Sequence, residues 1–223
     1  MKYTNILEIN NSKNIKITII CLHDLGGDKT NFLPIIKNTK IYKNINIRFI
    51  FPQSPKISIS ANNNIIMNAW YNVYCKKKKI EDKKGIKKSQ KKIEKIINKE
   101  INRGILTKNI FLLGFSQGAV IALQTGLKYS KQLAGLISLS GYLPFKKNIK
   151  KKKIINSLNT PIFIAHGIYD NIINVKNIIK LKNFFKKNKY NFKCNLYKIK
   201  HEICKKEISD VDFWINKKIL TNN

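Results

Sequence analysis

A serine between two glycines, in the pentapeptide GFSQG at 114–118, carries the strongest chemical signal in the sequence. It follows a short apolar run, NIFLL at 109–113, and precedes a stretch with the apolar spacing of a helix. A serine on a tight strand-to-helix turn has its hydroxyl forced out above the sheet, and the flanking glycines leave room for neighbouring backbone. The pattern therefore predicts that Ser116 is a nucleophile for acyl transfer; a plain structural turn is the alternative.

A serine hydroxyl needs a base to become a nucleophile at neutral pH, and imidazole is the usual one. Of the three histidines, His23 lies far upstream, whereas His166 and His201 both follow Ser116. We predict His201 as the base because it lies just past the final predicted strand. His166 is the second choice, but no Asp or Glu occurs between 117 and 165, so it is favoured as a structural histidine in the turn HGIYD.

Asp170 is the predicted orienting acid, because it lies just past the predicted strand PIFIA at 161–165. The resulting order of serine, acid and histidine is the one found in α/β-hydrolases. Each of the three residues then stands at the carboxyl end of a strand, where the loops of a parallel sheet gather. The other acids after the serine all follow the final histidine and are expected mostly on the exposed side of the last helix: Glu202, Glu207, Asp210 and Asp212.

An oxyanion hole normally pairs the amide after the nucleophile with an amide from the loop after an early strand. The first donor is therefore predicted to be the Gln117 amide. The early strand ends in CLHDLGGD, whose glycines let backbone approach the site closely, so the Leu25 amide is the predicted second donor. The alternative for LGG is an ordinary turn between a strand and a helix.

Apolar runs rich in β-branched residues alternate with longer helical patterns, which is typical of a parallel sheet covered by helices on both faces. Strands are predicted at 15–22, 46–51, 109–113, 134–139, 161–165 and 193–198, and helices at 86–103, 117–130, 174–188 and 205–219. We expect one α/β domain over 1–223. The polar, lysine-rich segment 53–83 fits this rhythm poorly and is expected to be a long loop.

Three residue types with AT-rich codons dominate the composition: 42 lysines, 41 isoleucines and 29 asparagines make up half of the 223 residues. The formal charge of +32 would ordinarily favour nucleic acid or an anionic membrane as partner. However, the lysines are spread through every segment, and arginine occurs only at Arg48 and Arg103. We therefore expect no specific nucleic-acid partner, and a lysine-driven nucleic-acid binder is kept as an alternative.

The four cysteines, at 21, 75, 194 and 204, include no C-x-x-C pair and no spacing typical of a metal site. The N-terminal MKYTNILEIN lacks the apolar run of a signal peptide, and no window approaches the roughly 18 apolar residues of a membrane span. We therefore expect reduced thiols, no metal site, no membrane span and a cytoplasmic location.

Six segments together resemble the phospholipase/carboxylesterase family of small serine hydrolases, which includes bacterial carboxylesterases and acyl-protein thioesterases. The segments are LHDLGGDKTNFLPI at 22–35, FPQSPKISISANNNIIMNAWYNVY at 51–74, GFSQGAVIALQTGL at 114–127, LAGLISLSGYLP at 133–144, IAHGIYDNIINV at 164–175 and HEICKKEISDVDFWI at 201–215. The resemblance spans nearly the whole chain in the same order.

This resemblance implies an α/β-hydrolase fold without a cofactor. It places nucleophile, acid and base on Ser116, Asp170 and His201, and the oxyanion amides on Leu25 and Gln117. It also implies that Trp70 and Tyr71 border the acyl pocket, with simple core packing as the alternative for both. The expected substrate is a small acyl ester, a thioester or a lysophospholipid, and the oligomeric state stays open.

Three positions depart from the family pattern. Asp24 and Lys200 replace glycines, and Asn72 replaces the aspartate of W-Y-D. An inward carboxylate at Asp24 would oppose the oxyanion, whereas an outward one would cost little. The charge of Lys200 would disfavour the imidazolium formed during attack. A catalytically impaired binding protein with the same fold is therefore the alternative function.

Overall fold

Strands and helices alternate along most of the chain, as the apolar pattern predicts. The computed structural model describes residues 5–37, 39–74, 81–151 and 158–222. The strands are β1 (Ile6–Asn10), β2 (Ile17–Leu22), β3 (Ile47–Pro52), β4 (Lys56–Ile59), β5 (Ile65–Asn68), β6 (Ile110–Phe115), β7 (Gly135–Leu139), β8 (Ile162–Gly167) and β9 (Phe192–Tyr197). The α-helices are α1 (Leu33–Ile36), α2 (Lys40–Asn44), α3 (Lys83–Asn102), α4 (Gln117–Gly126), α5 (Lys146–Lys151), α6 (Lys176–Lys187) and α7 (Lys205–Asn222). None of the helices in these ranges has the length and apolar character needed to cross a bilayer.

Seven strands form one sheet in the order β1-β3-β2-β6-β7-β8-β9. β1 is antiparallel to β3, and all other neighbours in the sheet are parallel. The carboxyl ends of β2, β6, β8 and β9 therefore lie along the same edge of the sheet, where the predicted site residues are expected. The six predicted strands and the predicted fold class are confirmed.

Two apolar clusters cover the two faces of the sheet. On one face, α3, α4 and α6 pack on alternate strand residues such as Ile20, Leu112 and Ile164. On the other face, α2 and α7 pack on the intervening residues, such as Phe111 and Phe163. Strands buried on both faces read as continuous apolar runs, which is why they could be identified from the sequence.

The expectation of a long loop over 53–83 is wrong for its first half. β4 and β5 form a separate antiparallel hairpin, in which Ile57 faces Met67. Its turn places Asn63 and Asn64 at φ 49° and 59°, in the left-handed region that asparagine tolerates well. The run of asparagines at 62–64 was therefore the available hairpin signal. Residues 75–80 of this segment lie outside the described residues.

The acids of α7 are less exposed than the sequence pattern suggests. Asp212 accepts hydrogen bonds from the backbone N–H groups of Lys40 and Ile41, at 3.0 and 3.1 Å, and so joins α7 to the start of α2. Glu207 is only 1% exposed, and its carboxylate has no hydrogen-bond partner among the described residues. The expectation of mostly exposed acids is thus wrong for both residues.

Burial of the carboxyl group raises the pKa of Glu207 from 4.5 to about 7. The folded chain therefore binds this proton more tightly than the unfolded chain, so the associated stability is present at low pH and is lost as pH rises toward 7. We predict that the free energy of unfolding of the wild type, relative to Glu207→Gln, falls by up to about 3 kcal/mol across this interval. Urea titrations at successive pH values measure the free energy of unfolding of both proteins. A difference between wild type and variant that does not change with pH would contradict the prediction.

Candidate active site

The turn that carries Ser116 is held by close backbone packing. Ser116 lies between β6 and α4 with φ 53° and ψ −115°, a conformation that a non-glycine residue rarely adopts. A Cβ added at Gly114 would lie 2.3 Å from the carbonyl carbon of Gly118, and one added at Gly118 would lie 2.0 Å from the carbonyl oxygen of Leu22. Both glycines are therefore required, because the start of α4 packs directly on this turn and on the end of β2.

Ser116, His201 and Asp170 form one continuous line of hydrogen bonds. The Oγ of Ser116 lies 2.8 Å from Nε2 of His201, and Nδ1 of His201 lies 2.7 Å from Oδ2 of Asp170. Since a carboxylate only accepts hydrogen bonds, Nδ1 carries the proton and Nε2 is free to accept one from the serine hydroxyl. The structure thus brings together the three side chains predicted from chain order, in the tautomer that base catalysis requires.

Backbone amides fix the orientation of the Asp170 carboxylate. Its Oδ1 accepts hydrogen bonds from the N–H groups of Ile172 and Ile173, at 2.9 and 2.8 Å. This leaves Oδ2 pointing at His201. Asp170 is 5% exposed, so water competes little for these interactions.

His166, the second choice for the base, lies behind Asp170. Its Nε2 is 2.8 Å from the carbonyl oxygen of Ile173 and 3.5 Å from Oδ2 of Asp170. The ring is fully buried, and burial lowers its pKa. His166 therefore supports the loop that holds Asp170, as predicted, while His201 makes the hydrogen bond to Ser116.

The two backbone amides predicted as oxyanion donors, those of Gln117 and Leu25, are not used in backbone hydrogen bonds in the part of the chain that the structure describes. The first backbone hydrogen bond of α4 runs from the Val120 N–H to the Ser116 carbonyl. The backbone N–H of Gln117, the first residue of the helix, therefore has no acceptor within the helix, as is usual at a helix N-terminus. Within the described residues, neither this amide nor that of Leu25 has a backbone acceptor. Also within them, no group of three or more His, Cys, Asp or Glu side chains is placed to hold a metal ion.

A sequence model of the phospholipase/carboxylesterase family matches residues 4–219. The chain belongs to this family. Acyl-protein thioesterase 1 of Yarrowia lipolytica is 31% identical over 209 residues, which make up 91% of this chain and 92% of that protein. Acyl-protein thioesterase 1 of Schizosaccharomyces pombe is 33% identical over 170 residues, or 76% of this chain and 75% of that protein.

Solved structures agree with this assignment. Arabidopsis thaliana SOBER1 superposes with a TM-score of 0.85 at 27% identity, over 92% of this chain and 99% of that one. Zea mays acyl-protein thioesterase 2, at 21% identity, has a TM-score of 0.82 over 96% of this chain and 98% of that one, and shows the same fold. The chain is therefore a hydrolase of the phospholipase/carboxylesterase family with the α/β-hydrolase fold.

In this family member the side chain of Gln117 has a structural task that the sequence did not reveal. Its Oε1 accepts a hydrogen bond from the backbone N–H of Trp70 at 2.7 Å, and its Nε2 donates to the backbone carbonyl of Tyr71 at 2.8 Å. Trp70 and Tyr71 are 1% and 3% exposed and lie in the apolar core. The backbone of Trp70 and Tyr71 thus anchors the start of α4 through the Gln117 side chain. A role for the two aromatic side chains in bordering an acyl pocket stays a prediction.

His23 orients the peptide that contains the Leu25 amide. The Ser54 N–H donates to Nε2 of His23 at 3.1 Å, so the ring proton is on Nδ1, which donates to the Asp24 carbonyl at 2.7 Å. Burial lowers the pKa of His23, which keeps the ring neutral. Because the peptide bond is trans, the Leu25 N–H points opposite to the Asp24 carbonyl, away from His23.

The β4–β5 hairpin also supports the loop after β2 that contains Leu25. The Gly26 N–H donates to the carbonyl of Asn68, the last residue of β5, at 2.8 Å. The side chain of Asn68 donates in turn to the Gly27 carbonyl at 2.9 Å. The β4–β5 hairpin, in a segment expected from the sequence to be a long loop, therefore helps to hold the candidate oxyanion loop.

In the part of the chain that the structure describes, none of the three departures from the family pattern makes a hydrogen bond to Ser116, His201 or Asp170. Asp24 is turned toward Asn31, whose Nδ2 donates to Oδ1 of Asp24 at 3.3 Å. Lys200 is exposed to solvent. Asn72 bonds the backbone and side chain of Ser60, at 2.9 and 2.8 Å. Asn31 is the side chain that engages the Asp24 carboxylate among the described residues.

A pair of variants separates the two hydrogen bonds of His23. The side-chain amide nitrogen of asparagine takes the position of Nδ1 and can donate to the Asp24 carbonyl. The side-chain amide oxygen of glutamine takes the position of Nε2 and can accept from the Ser54 N–H, but the glutamine side chain has no donor at the position of Nδ1. We predict that His23→Gln lowers kcat for an aryl ester by about a hundredfold with little change in KM, because one oxyanion donor is misdirected. His23→Asn should stay within about tenfold of wild type.

Steady-state kinetics and the affinity for a trifluoromethyl ketone, which forms a tetrahedral adduct, measure this difference. Thermal melting of both variants serves as the control for folding. Equal losses in the two variants would show that His23 contributes only to packing.

Proposed function

We propose that this chain hydrolyses carboxylic esters and thioesters through an acyl-enzyme on Ser116. The Oγ of Ser116 attacks the substrate carbonyl while His201 accepts its proton. Asp170 holds the imidazole in the required tautomer and stabilises the imidazolium that forms. The amides of Leu25 and Gln117 donate to the oxygen of the tetrahedral intermediate, where the negative charge develops.

Collapse of this intermediate releases the leaving group and leaves the acyl chain on Ser116. His201 donates its proton to the departing alcohol or thiol, and then activates a water molecule that attacks the acyl-enzyme. A second tetrahedral intermediate breaks down to a carboxylic acid and free serine. No other residue needs to change its protonation state.

The observation that carries this proposal is the unbroken hydrogen-bonded line from Oγ of Ser116 through His201 to Asp170, at 2.8 and 2.7 Å. A binding protein has no need for a serine in a strained conformation, since that strain costs free energy. The line also requires residues from three loops, at the ends of β6, β8 and β9, to meet within hydrogen-bonding distance.

Thioesters are the proposed preferred substrates, because relatives at 31% and 33% identity are acyl-protein thioesterases. Carboxylic esters and lysophospholipids are the other proposed classes; a rice relative at 27% identity is a probable carboxylesterase. Initial rates across a panel of thioesters, aryl esters and lysophospholipids of increasing acyl length would rank the three classes.

We also propose that the protein acts in the cytoplasm, where thiols stay reduced. Cys21, Cys194 and Cys204 are free thiols. Cys75 lies outside the described residues. Imaging of the tagged full-length chain in its own cells tests this location, and secretion into the medium would contradict it.

Removal of the nucleophile should abolish turnover. We predict that Ser116→Ala lowers kcat for a short-chain thioester by at least about 10⁴-fold and eliminates covalent labelling by a fluorophosphonate. Ser130→Ala, at a surface serine after α4, is the matched control. This variant should keep both the thioester hydrolysis and the fluorophosphonate labelling of the wild type. Wild-type hydrolysis no faster than that of Ser116→Ala, with both proteins folded, would disprove the proposed mechanism.

A further inference from the structure

A second feature of the molecule, a cavity of about 220 Å³, lies beside the candidate active site. Its walls combine one carboxylate, one amide and four apolar side chains: Asp24, Asn31, Phe32, Ile35, Phe115 and Ile203. The volume equals that of roughly seven water molecules, which suits a small organic group and not an extended chain.

Three of these wall residues belong to the loops that carry the site. Phe115 immediately precedes Ser116, and its ring centroid lies 5.0 Å from that of His201. Asp24 immediately precedes Leu25, and Ile203 follows His201 by two residues. The wall thus includes chain neighbours of the proposed nucleophile, base and oxyanion donor, and through the Phe115 ring it contacts His201.

Contact with the base places the cavity on the leaving-group side. His201 must lie next to the leaving atom in order to protonate it. A group attached to that atom by a short linker therefore extends past the imidazole, along the wall that Phe115 forms.

Asp24 gives this cavity a charge opposite to that of the chain as a whole. It is the one ionisable residue in the wall, in a chain of formal charge +32. Among the residues that the structure describes, Asp24 forms no ion pair, and its side chain is engaged only by Asn31. A carboxylate next to two aromatic rings is the combination that binds alkylammonium ions, since rings and carboxylate both attract the cation and the rings tolerate its apolar methyl groups.

We propose that this cavity binds an alkylammonium group carried on the leaving-group side of the substrate, with Asp24 as its charge partner and Phe32 and Phe115 as its apolar walls. This inference rests on the proposed function of Ser116 and His201. Asp24 is then a specificity-determining residue, and the departure from glycine at this position selects substrates instead of impairing catalysis.

The test uses two thioesters of the same shape and different charge. Butyrylthiocholine carries a quaternary ammonium, and S-(3,3-dimethylbutyl) thiobutyrate replaces that nitrogen with carbon. We expect the wild type to favour the cationic substrate in kcat/KM, and Asp24→Asn to reduce this preference roughly five- to tenfold. The rate for the neutral substrate should stay within about twofold, and added salt should weaken the preference in the wild type.

Asp28→Asn is the matched control, because it removes the same charge from the same loop at a residue outside the cavity wall. Its Asn side chain keeps an oxygen that can accept from Thr30, as Oδ1 of Asp28 does. We expect this variant to retain the cationic preference. An equal loss in both variants would show a general field effect and would overturn the cavity assignment.

The remaining outcomes separate this inference from the proposed function. If both thioesters are hydrolysed and Asp24→Asn leaves the ratio of their kcat/KM values unchanged, the cavity proposal is refuted and the proposed function of Ser116 and His201 stands. No hydrolysis of either thioester, or of any ester in the panel, would refute the proposed function itself.

The same alkylammonium chemistry occurs on a small amino thiol and on a lysine side chain beside an acylated cysteine. Two S-butyryl cysteine peptides, with lysine or glutamine next to the cysteine, distinguish these sources. A preference for the lysine peptide that Asp24→Asn removes would assign the cavity to peptides. An Asp24-dependent preference confined to butyrylthiocholine would assign it to small thioesters.

Discussion

The turn between β6 and α4 holds Ser116 at φ 53° and ψ −115°, a conformation that costs a non-glycine residue about 1–3 kcal/mol. The free energy that maintains it comes from buried packing on both sides. β6 lies between β2 and β7 in the sheet, and the first turn of α4 is pressed against the carbonyl of Leu22. A side chain at Gly114 or Gly118 would force these backbones apart, and the serine, the helix N-terminus and the loop after β2 would no longer meet.

The sequence was sufficient for the parts of the molecule that depend on long apolar runs and on chain order. Six strands buried on both faces could be identified, and with few histidines and acids available the elbow serine led to Asp170 and His201. Parallel neighbours then bring the three loops to one edge of the sheet. Those side chains lie within hydrogen-bonding distance for that topological reason, and their catalytic roles rest on the proposed function.

Short elements and side-chain partnerships could not be predicted in the same way. β4 and β5 have four residues each, too few for a periodic signal, and their hairpin depends on a turn of asparagines. The hydrogen bonds of Gln117 to Trp70 and Tyr71 join residues 46 and 47 positions apart. Local spacing contains no information about such pairs. The burial of Glu207 likewise depends on how α7 packs against the sheet.

The biased composition divides between the interior and the surface, and isoleucines make up much of the buried core, as at Ile19, Ile93 and Ile164. Both arginines pair with one buried carboxylate, Glu100, at 2.7 and 2.8 Å, so the two guanidinium groups serve the fold. The lysines are mostly exposed, whereas the side chains in line with Ser116 are the imidazole of His201 and the carboxylate of Asp170. In a chain of formal charge +32, the cavity wall that includes Phe115 thus contains one ionisable residue, the acid Asp24.

The proposed mechanism places the acyl group of the substrate on Ser116 during turnover. Acid quenching within milliseconds of mixing with a thioester, followed by digestion after lysine and mass spectrometry, locates it. The peptide from Asn109 to Lys128 contains only two hydroxyl side chains, Ser116 and Thr125, which fragmentation distinguishes. We predict one acyl group on Ser116, present during turnover and absent once the substrate is consumed. Active turnover with no acylated Ser116, or with the acyl group on another residue, would contradict the proposed mechanism.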